Sequence, residues 1–402
     1  MTQNTEDNHL TTETVGFAEL NPRQQRQRLQ ELALVFLKLG AIAFGGPAAH
    51  IAMMDDEVVT RRQWLSHQKL LDLLGITNLI PGPNSTELAI HIGYERGGWK
   101  GLVIAGFCFI FPAMVIVWTL AAIYTHYQTI PQVEWLLYGV KPVIIAIVIQ
   151  ALWNLGKKAI KDMWTAIATV AVMVAFFLRI DELLLLLLAG LGVMLIKNIG
   201  KSKNTNVSAW LMPVFFAQVG SSTAVIASVT WLQVFWFFLK IGSVLYGSGY
   251  VLLAFLQREL VETNHWLTSQ QLLDAIAIGQ ITPGPVFTTA TFVGYLLAGN
   301  PGAIAGTVGI FLPAFVLVWV INPWVTKLRQ SPWVSSFLDG VNAASLGLMA
   351  VVTYTLARTA IIDWLTVVLT VISAIAIFRF RVNSAWLVLA GGIVGFLGRS
   401  LL

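Results

Sequence analysis

Residues 101–124 carry no Asp, Glu, Lys or Arg. That run exceeds the ~18 residues a helix needs to cross a bilayer. Inside hydrocarbon every backbone N–H and C=O must find a partner within the protein, which leaves helices or a closed barrel as the spanning structures. Further apolar runs occupy residues 140–153, 164–178, 302–320 and 364–378. Some are shorter than a full span, as expected of helices packed inside a bundle. Only 11% of the 402 residues are charged and 56% are hydrophobic, for a mean hydropathy of +0.74. A soluble chain carries roughly a quarter charged residues, so there is too little polar surface here for a water-soluble body. The expectation is an all-α polytopic, multi-pass membrane protein whose first partner is the lipid bilayer.

Smaller features exclude other classes. Residues 1–28 are polar and lack the apolar core of a signal peptide, so they are expected to form an uncleaved tail. The single cysteine, Cys108, lies in an apolar run, which rules out a disulfide framework and argues against a thiolate metal site. No metal or other cofactor is expected. The formal charge of +5 reads as loop bias rather than nucleic-acid affinity.

The chain is a duplication. A shift of 202 residues superposes Lys38 on Lys240, Gly40 on Gly242, Gly45 on Gly247, Glu57 on Glu259, Trp64 on Trp266 and Asp72 on Asp274. The same shift lays Pro81-Gly82-Pro83 on Pro283-Gly284-Pro285. After one deletion the offset is 201, pairing Gly93-Tyr94 with Gly294-Tyr295, Pro112 with Pro313 and Asp162 with Asp363. The expected organisation is a tail (1–28), a first repeat (29–200), a connecting segment (201–230) and a second repeat (231–402). Basic loops favour the cytoplasm. They fall at Arg96/Lys100, Lys157/Lys158/Lys161 and Lys197/Lys201/Lys203 in the first repeat. In the second they move to the alternate loops, Lys327/Arg329 and Arg379/Arg381. Such a swap is what inverted repeats produce, although Arg23, Arg26 and Arg28 ahead of the first apolar helix count the other way.

Each repeat holds a Pro-Gly-Pro in an apolar setting, and no straight helix runs through it. The flanking pieces, residues 69–80 and 84–94, are each too short to span. A helix broken at membrane depth, or a re-entrant hairpin, is the economical reading. Such backbone is tolerated there only inside protein or beside a wet cavity. A helix starting after Pro83 or Pro285 offers unpaired amides and a partial positive charge, a ready anion site. Asn84, Ser85, Thr86, Thr288 and Thr289 add polar groups to those first turns. Kinks that merely shape packing are the bland alternative, and the duplication with hydroxyls in both copies weighs against it.

Three further features join these breaks. Phe44-Gly45-Gly46-Pro47-Ala48-Ala49-His50 is matched by Tyr246-Gly247-Ser248-Gly249-Tyr250, where glycines permit close backbone approach. Lys38 and Lys240 lie six residues before these turns in apolar helices, where a charge is a functional candidate by default. Two matched lysines suit a dianion, with Asp72 and Asp274 as counter-ions; snorkelling to an interface is the competing reading. Glu87 and His91, spaced i, i+4, share one helix face and suit proton coupling; the second copy has Thr289 and no histidine. Residues 53–69 and 257–271, each with a tryptophan, are expected to lie at the interface.

The glycine turns, the doubled Pro-Gly-Pro with Gly93-Tyr94 and Gly294-Tyr295, and the two-domain length together resemble the chromate ion transporter family in its long form. The resemblance covers nearly everything after residue 29. It implies export of chromate from the cytoplasm across the inner membrane, sulfate as the competing analogue, and oppositely oriented halves. Where many members carry glutamine four residues after the second proline of the break, this chain has Glu87. A secondary transporter binding an oxyanion between its repeats is therefore expected; no GxxxxGK[ST] nucleotide motif is present. An anion channel of the same fold stays open. A membrane-embedded enzyme, with His50, His67, His91, Glu87 and Asp72 as its nearest polar groups, fits less well because no HExxH spacing occurs. Homodimers are common among such folds, and no interface is legible here.

Overall fold

The computed structural model describes residues 17–127, 130–178, 180–199, 229–246, 251–321 and 331–400. No strand occurs among them. The first repeat runs α1 (Pro22–Ile42), α2 (Gly46–Asp55) continuing into a π-helical turn (Asp56–Arg61), α3 (His67–Thr77), α4 (Asn84–Tyr127), α5 (Pro131–Ala159), α6 (Met163–Phe177) and α7 (Glu182–Ile199). The second repeats the series as α8 (Trp231–Val244), α9 (Leu252–Leu256) with its own π-helical turn (Gln257–Thr263), α10 (Ser269–Ile281), α11 (Thr289–Ile321), α12 (Pro332–Ala360), α13 (Trp364–Phe380) and α14 (Ser384–Ser400). Five of the described helices are long and apolar enough to cross a membrane, those containing residues 84–127, 132–159, 182–199, 286–321 and 332–360. Tryptophans 99, 153, 164, 231, 236, 319, 364 and 386 stand exposed on the outside, as side chains facing lipid and its interfaces do.

α4 and α11 are not rods. Each reverses at one point, Gly97–Gly98 (φ +58 at Gly98) and Ala298–Gly299 (φ +61 at Gly299), where a left-handed residue is cheapest as glycine. The two arms then pack antiparallel. A Cβ on Gly93 would stand 2.4 Å from the Gly101 carbonyl, and one on Gly294 2.1 Å from that of Gly302. Thr291 Oγ1 lies 2.7 Å from Thr307 Oγ1 across the second hairpin. Each Pro-Gly-Pro thus leads into a short arm (84–96 or 289–297) that turns back onto a long one (99–127 or 300–321). The basic loop at Arg96/Lys100 marked the turn of the first hairpin in the sequence, but the close antiparallel packing of its two arms was not legible there.

Two bundles follow. α1 packs on α4, α8 on α11, and α4 on α11, with Gly40 and Gly242 laid against the carbonyls of Phe109 and Ile310. The remaining helices exchange partners between repeats: α5 packs on α13 and α14, and α12 on α6 and α7. The crossings are backbone on backbone. Gly139 meets Gly391 and Gly395, and its repeat mate Gly340 meets Ala189 and Gly190. Small residues at such crossings maximise van der Waals contact where lipid tails remove the hydrophobic drive.

Two boundaries move. Residues 22–28, taken above with the polar tail, are the first turns of α1, because Asn21 and Gln24 form a reciprocal capping box ahead of Pro22. Residues 53–69 and 257–271 are not single helices. Each breaks after its π-helical turn at a left-handed residue, Gln63 (φ 51) and His265 (φ 53). Trp64 lies beneath the Arg96 guanidinium, 4.1 Å from its ring centre, a cation–π contact tying α3's approach to the α4 reversal.

Candidate functional site

The two breaks are tied reciprocally across the repeats. The Gly82 amide donates to the Leu245 carbonyl at 2.8 Å, and the Gly284 amide donates to the Ala43 carbonyl at 2.9 Å. Ala43 and Leu245 are the C-caps of α1 and α8. Each Pro-Gly-Pro therefore closes the helix end of the other repeat, supplying a donor to a terminal carbonyl that would otherwise lack one. Positive φ at Gly82 (141) and Gly284 (85) turns the amides that way. Gly284 has no room for a side chain, and at Gly82 one would have to displace the Glu87 carboxylate. A Cβ on Gly284 would stand 2.6 Å from Ala113 Cβ; one on Gly82 would stand 2.4 Å from Glu87 Oε1 and 3.5 Å from Ala314 Cβ. Gly284→Ala is expected to cost about 1–3 kcal/mol through overpacking, plus ~1–2 kcal/mol for the left-handed backbone. The check is the shift in thermal unfolding of the purified protein, which should be absent in Gly192→Ala, where an added Cβ meets nothing within 4 Å.

Around the first break the polar groups interlock. α3 ends at Thr77, and Asn78 donates to the Leu74 carbonyl while accepting from Asn84 across the gap at 3.1 Å. Pro83 stands just ahead of α4, its carbonyl receiving the amides of Thr86 and Glu87. The two amides before them, Asn84 and Ser85, lack an intrahelical acceptor by construction. His50, buried in α2, lies 3.0 Å from the Ala43 carbonyl through Nε2 and 3.2 Å from Ser85 Oγ through Nδ1. A carbonyl only accepts, so Nε2 carries the hydrogen and Nδ1 accepts from the Ser85 hydroxyl. Gly45 (φ 107) and Gly46 (φ 76) make the turn that places Pro47 in α2's first turn and His50 one turn on. Gly247, Ser248 and Gly249 lie outside the described residues.

The second break is built differently. A single 3₁₀ turn (Val286–Thr288) precedes α11. Thr288 and Thr289 donate their hydroxyls to the carbonyls of Pro285 and Val286, both at 2.8 Å. The expectation of free hydroxyl donors there is corrected: a threonine in a tight first turn bonds its own backbone. At the first break Thr86 Oγ1 and both Glu87 carboxylate oxygens are buried and have no hydrogen-bond partner among the described residues. His91 is fully buried one turn further along the same arm.

Lys38 and Lys240 are engaged. Lys38 pairs with Glu57, and Lys240 with Glu259 at 3.0 Å; the lysine side chains are 50% and 48% exposed. The hydrogen bond from Lys38, opposed by burial and joined by Arg62, holds the Glu57 carboxyl below the ordinary carboxylate range. Asp274 is instead paired with Lys141. Glu57 and Glu259 are the ion-pair partners of these lysines, and their shared 202-residue offset was the available signal.

Asp274 belongs to a charge pair missed in the sequence. Its Oδ1 stands 3.0 Å from the Lys141 ammonium on α5, an ion pair, and its Oδ2 accepts from the Tyr124 hydroxyl on α4 at 2.9 Å. Lys141 is 5% and Asp274 3% exposed in their side chains. The duplication hid it, because position 342, the mate of Lys141, is asparagine. A second cross-repeat pair, Glu182–Arg258 at 2.7 Å, is buried as well.

Comparison with known proteins agrees with this architecture. The family model described as Chromate transporter matches twice, over residues 30–195 and 232–396. The chain is 32% identical to a probable chromate transport protein of Synechococcus elongatus, covering 87% of this chain and 90% of the relative. It is 30% identical to the chromate transport protein of Cupriavidus metallidurans (93% and 94%), and 29% identical to that of Pseudomonas aeruginosa (90% of each). No solved structure matches. With both halves matched by one family and each half donating a backbone hydrogen bond into the other, this multi-pass membrane protein belongs to the chromate transporter family.

Proposed function

We propose that the chain is a secondary transporter that exports chromate across the inner membrane, with sulfate as a competing analogue, through a site at the seam between oppositely oriented repeats. The observation that carries the reading is the reciprocal pair of hydrogen bonds, Gly82 to Leu245 and Gly284 to Ala43. It brings both broken helices to one seam, so movement of one repeat against the other acts on both breaks at once. The relatives named for chromate supply the cargo. Open amides at the start of α4 suit an oxyanion. Lys38 and Lys240, each five residues before a carbonyl of the seam, supply positive charge at its margin. The driving force is an ion gradient.

An ionised Glu87, buried with no hydrogen-bond partner among the described residues, would cost several kcal/mol and would repel a dianion, so the working form of Glu87 in this reading is the neutral acid. Glu87→Gln keeps that shape and neutrality, and is expected to transport chromate within about threefold of the native rate, roughly 0.7 kcal/mol. The test is flux of labelled chromate, sulfate and phosphate in proteoliposomes of the purified protein. Saturable chromate flux, inhibited by sulfate and reduced in Lys38→Ala and Lys240→Ala, is the expected result. Absence of flux for every tetrahedral anion would remove the cargo assignment. Non-saturating, voltage-dependent conductance would replace the transporter with a channel.

A further inference from the structure

A cavity of about 380 Å³ opens between α5, α10, α12 and α14 and ends on Lys141. Its wall carries Glu134, Tyr138, Gln270, Thr359 and Arg399. Lys141 at its floor is the lysine paired to Asp274, which is held in turn by Tyr124. Asp274 stands in the middle of α10, the helix that runs directly into the second Pro-Gly-Pro. The pair thus fastens a break-bearing helix of the second repeat to α5 of the first. At the matched position Asp72 accepts from Gln68 on its own helix at 3.5 Å.

The charged and titratable groups around Asp274 are these. α5 presents Lys141, Glu134 and Tyr138, the last donating to Asp363 at the start of α13. α4 presents Tyr124, and α14 presents Arg399, stacked over the Tyr138 ring at 4.6 Å. α11 and α12 contribute Phe292, 5.3 Å from Tyr124, and Thr359, neither of which titrates. The two cations, Lys141 and Arg399, face three carboxylates, Glu134, Asp274 and Asp363. That balance disfavours an anion and favours a proton or other cation.

Orientation follows from the basic residues. Lys157 and Lys158 close the C-terminal end of α5, and Lys161 and Lys197 converge on Asp339. Basic ends favour the cytoplasm. Glu134, Tyr138 and Lys141 occupy the opposite half of α5, so the cavity opens to the outside, where an energised membrane supplies protons.

We propose that this vestibule is the proton entry of the transporter and that Asp274, not Glu87, takes the coupling proton. A proton from external water reaches the Asp274 carboxylate past Glu134. The neutral acid releases the Lys141 ammonium, α10 is unfastened from α5, and the second break is free to move with its repeat. When the proton leaves toward the cytoplasm the pair re-forms. This inference rests on the transport reading for its exchange partner, but the access route can be tested without any substrate.

Two measurements decide it. First, Gln270→Cys in a Cys108→Ser background is exposed to a membrane-impermeant maleimide added outside intact spheroplasts. Labelling from outside is expected; labelling only when the cytoplasmic face is opened overturns the proposal, whatever the cargo. Second, the steady-state chromate ratio across proteoliposomes is followed at clamped membrane potential. One proton exchanged per anion shifts that ratio about tenfold per pH unit of gradient. The native protein and Glu87→Gln should show the shift. Asp274→Asn should still equilibrate chromate but show none, and the charge-free Lys141→Met/Asp274→Asn protein serves where the single variant does not fold. A full shift in both Asp274 variants, or its loss in Glu87→Gln with retention in Asp274→Asn, overturns the assignment. Native chromate flux indifferent to pH removes the proton and leaves the cargo standing. No chromate flux at all fails the cargo reading, and the labelling then decides the vestibule alone.

Discussion

Lys141→Ala is expected to lower stability by about 3–5 kcal/mol at a pH where Asp274 is ionised, because it leaves a buried carboxylate with the Tyr124 hydroxyl as its remaining hydrogen-bond donor among the described residues. The pair is at most 5% exposed on either side, so the few waters that reach it through the vestibule replace the lost ammonium poorly. Thermal unfolding followed by tryptophan fluorescence in detergent is the readout. Replacing both members by apolar side chains of similar volume, Lys141→Met with Asp274→Leu, should return stability to near the native value. The contrast with Lys38→Ala is informative. That lysine is half exposed, and its pair with Glu57 should cost at most about 1 kcal/mol. Equal losses at the two sites would mean that the Lys141–Asp274 pair is no stronger than an exposed one, and the latch would have to be abandoned.

Gly139→Ala should weaken the exchange of helices between repeats by about 1–3 kcal/mol, the usual cost of forcing volume into a packed contact. A Cβ there would stand 2.0 Å from the Gly391 carbonyl and 2.6 Å from Gly395 Cα. The obstacle is backbone, so α5 and α14 must separate along their length rather than rotate one side chain aside. Gly340→Ala should behave alike, since its Cβ would meet the Ala189 carbonyl at 2.3 Å. Lower yields of monodisperse protein and an earlier unfolding midpoint are the expected observations for both. Native stability in both would contradict the swapped packing of α5 and α12.

Both effects fall where the sequence was least readable. Gly139 and Gly391 lie far apart in the chain, and nothing local distinguishes a glycine that spaces two helices from one that faces lipid. Lys141 stands beside Pro142 at the edge of an apolar run; its partner is set by which helix the other repeat lays against α5. Lys38 and Lys240, by contrast, were visible as matched charges, while the glutamates that pair with them were read only as structural residues of the interfacial segments. The π-helical turns rotate Glu57 and Glu259 toward α1 and α8, and no helical periodicity announces that.

Length and apolarity of the runs determined that this chain is helical and membrane-spanning, because unpaired backbone has no other refuge in lipid. The duplication and the two Pro-Gly-Pro signatures determined where helices break, because proline removes donors wherever it stands. The reversals of α4 and α11, the crossing hydrogen bonds of Gly82 and Gly284, and the burial of Lys141 against Asp274 were decided by tertiary structure. Each depends on a surface supplied by the other repeat, and the energy of a contact between distant segments is absent from either segment alone.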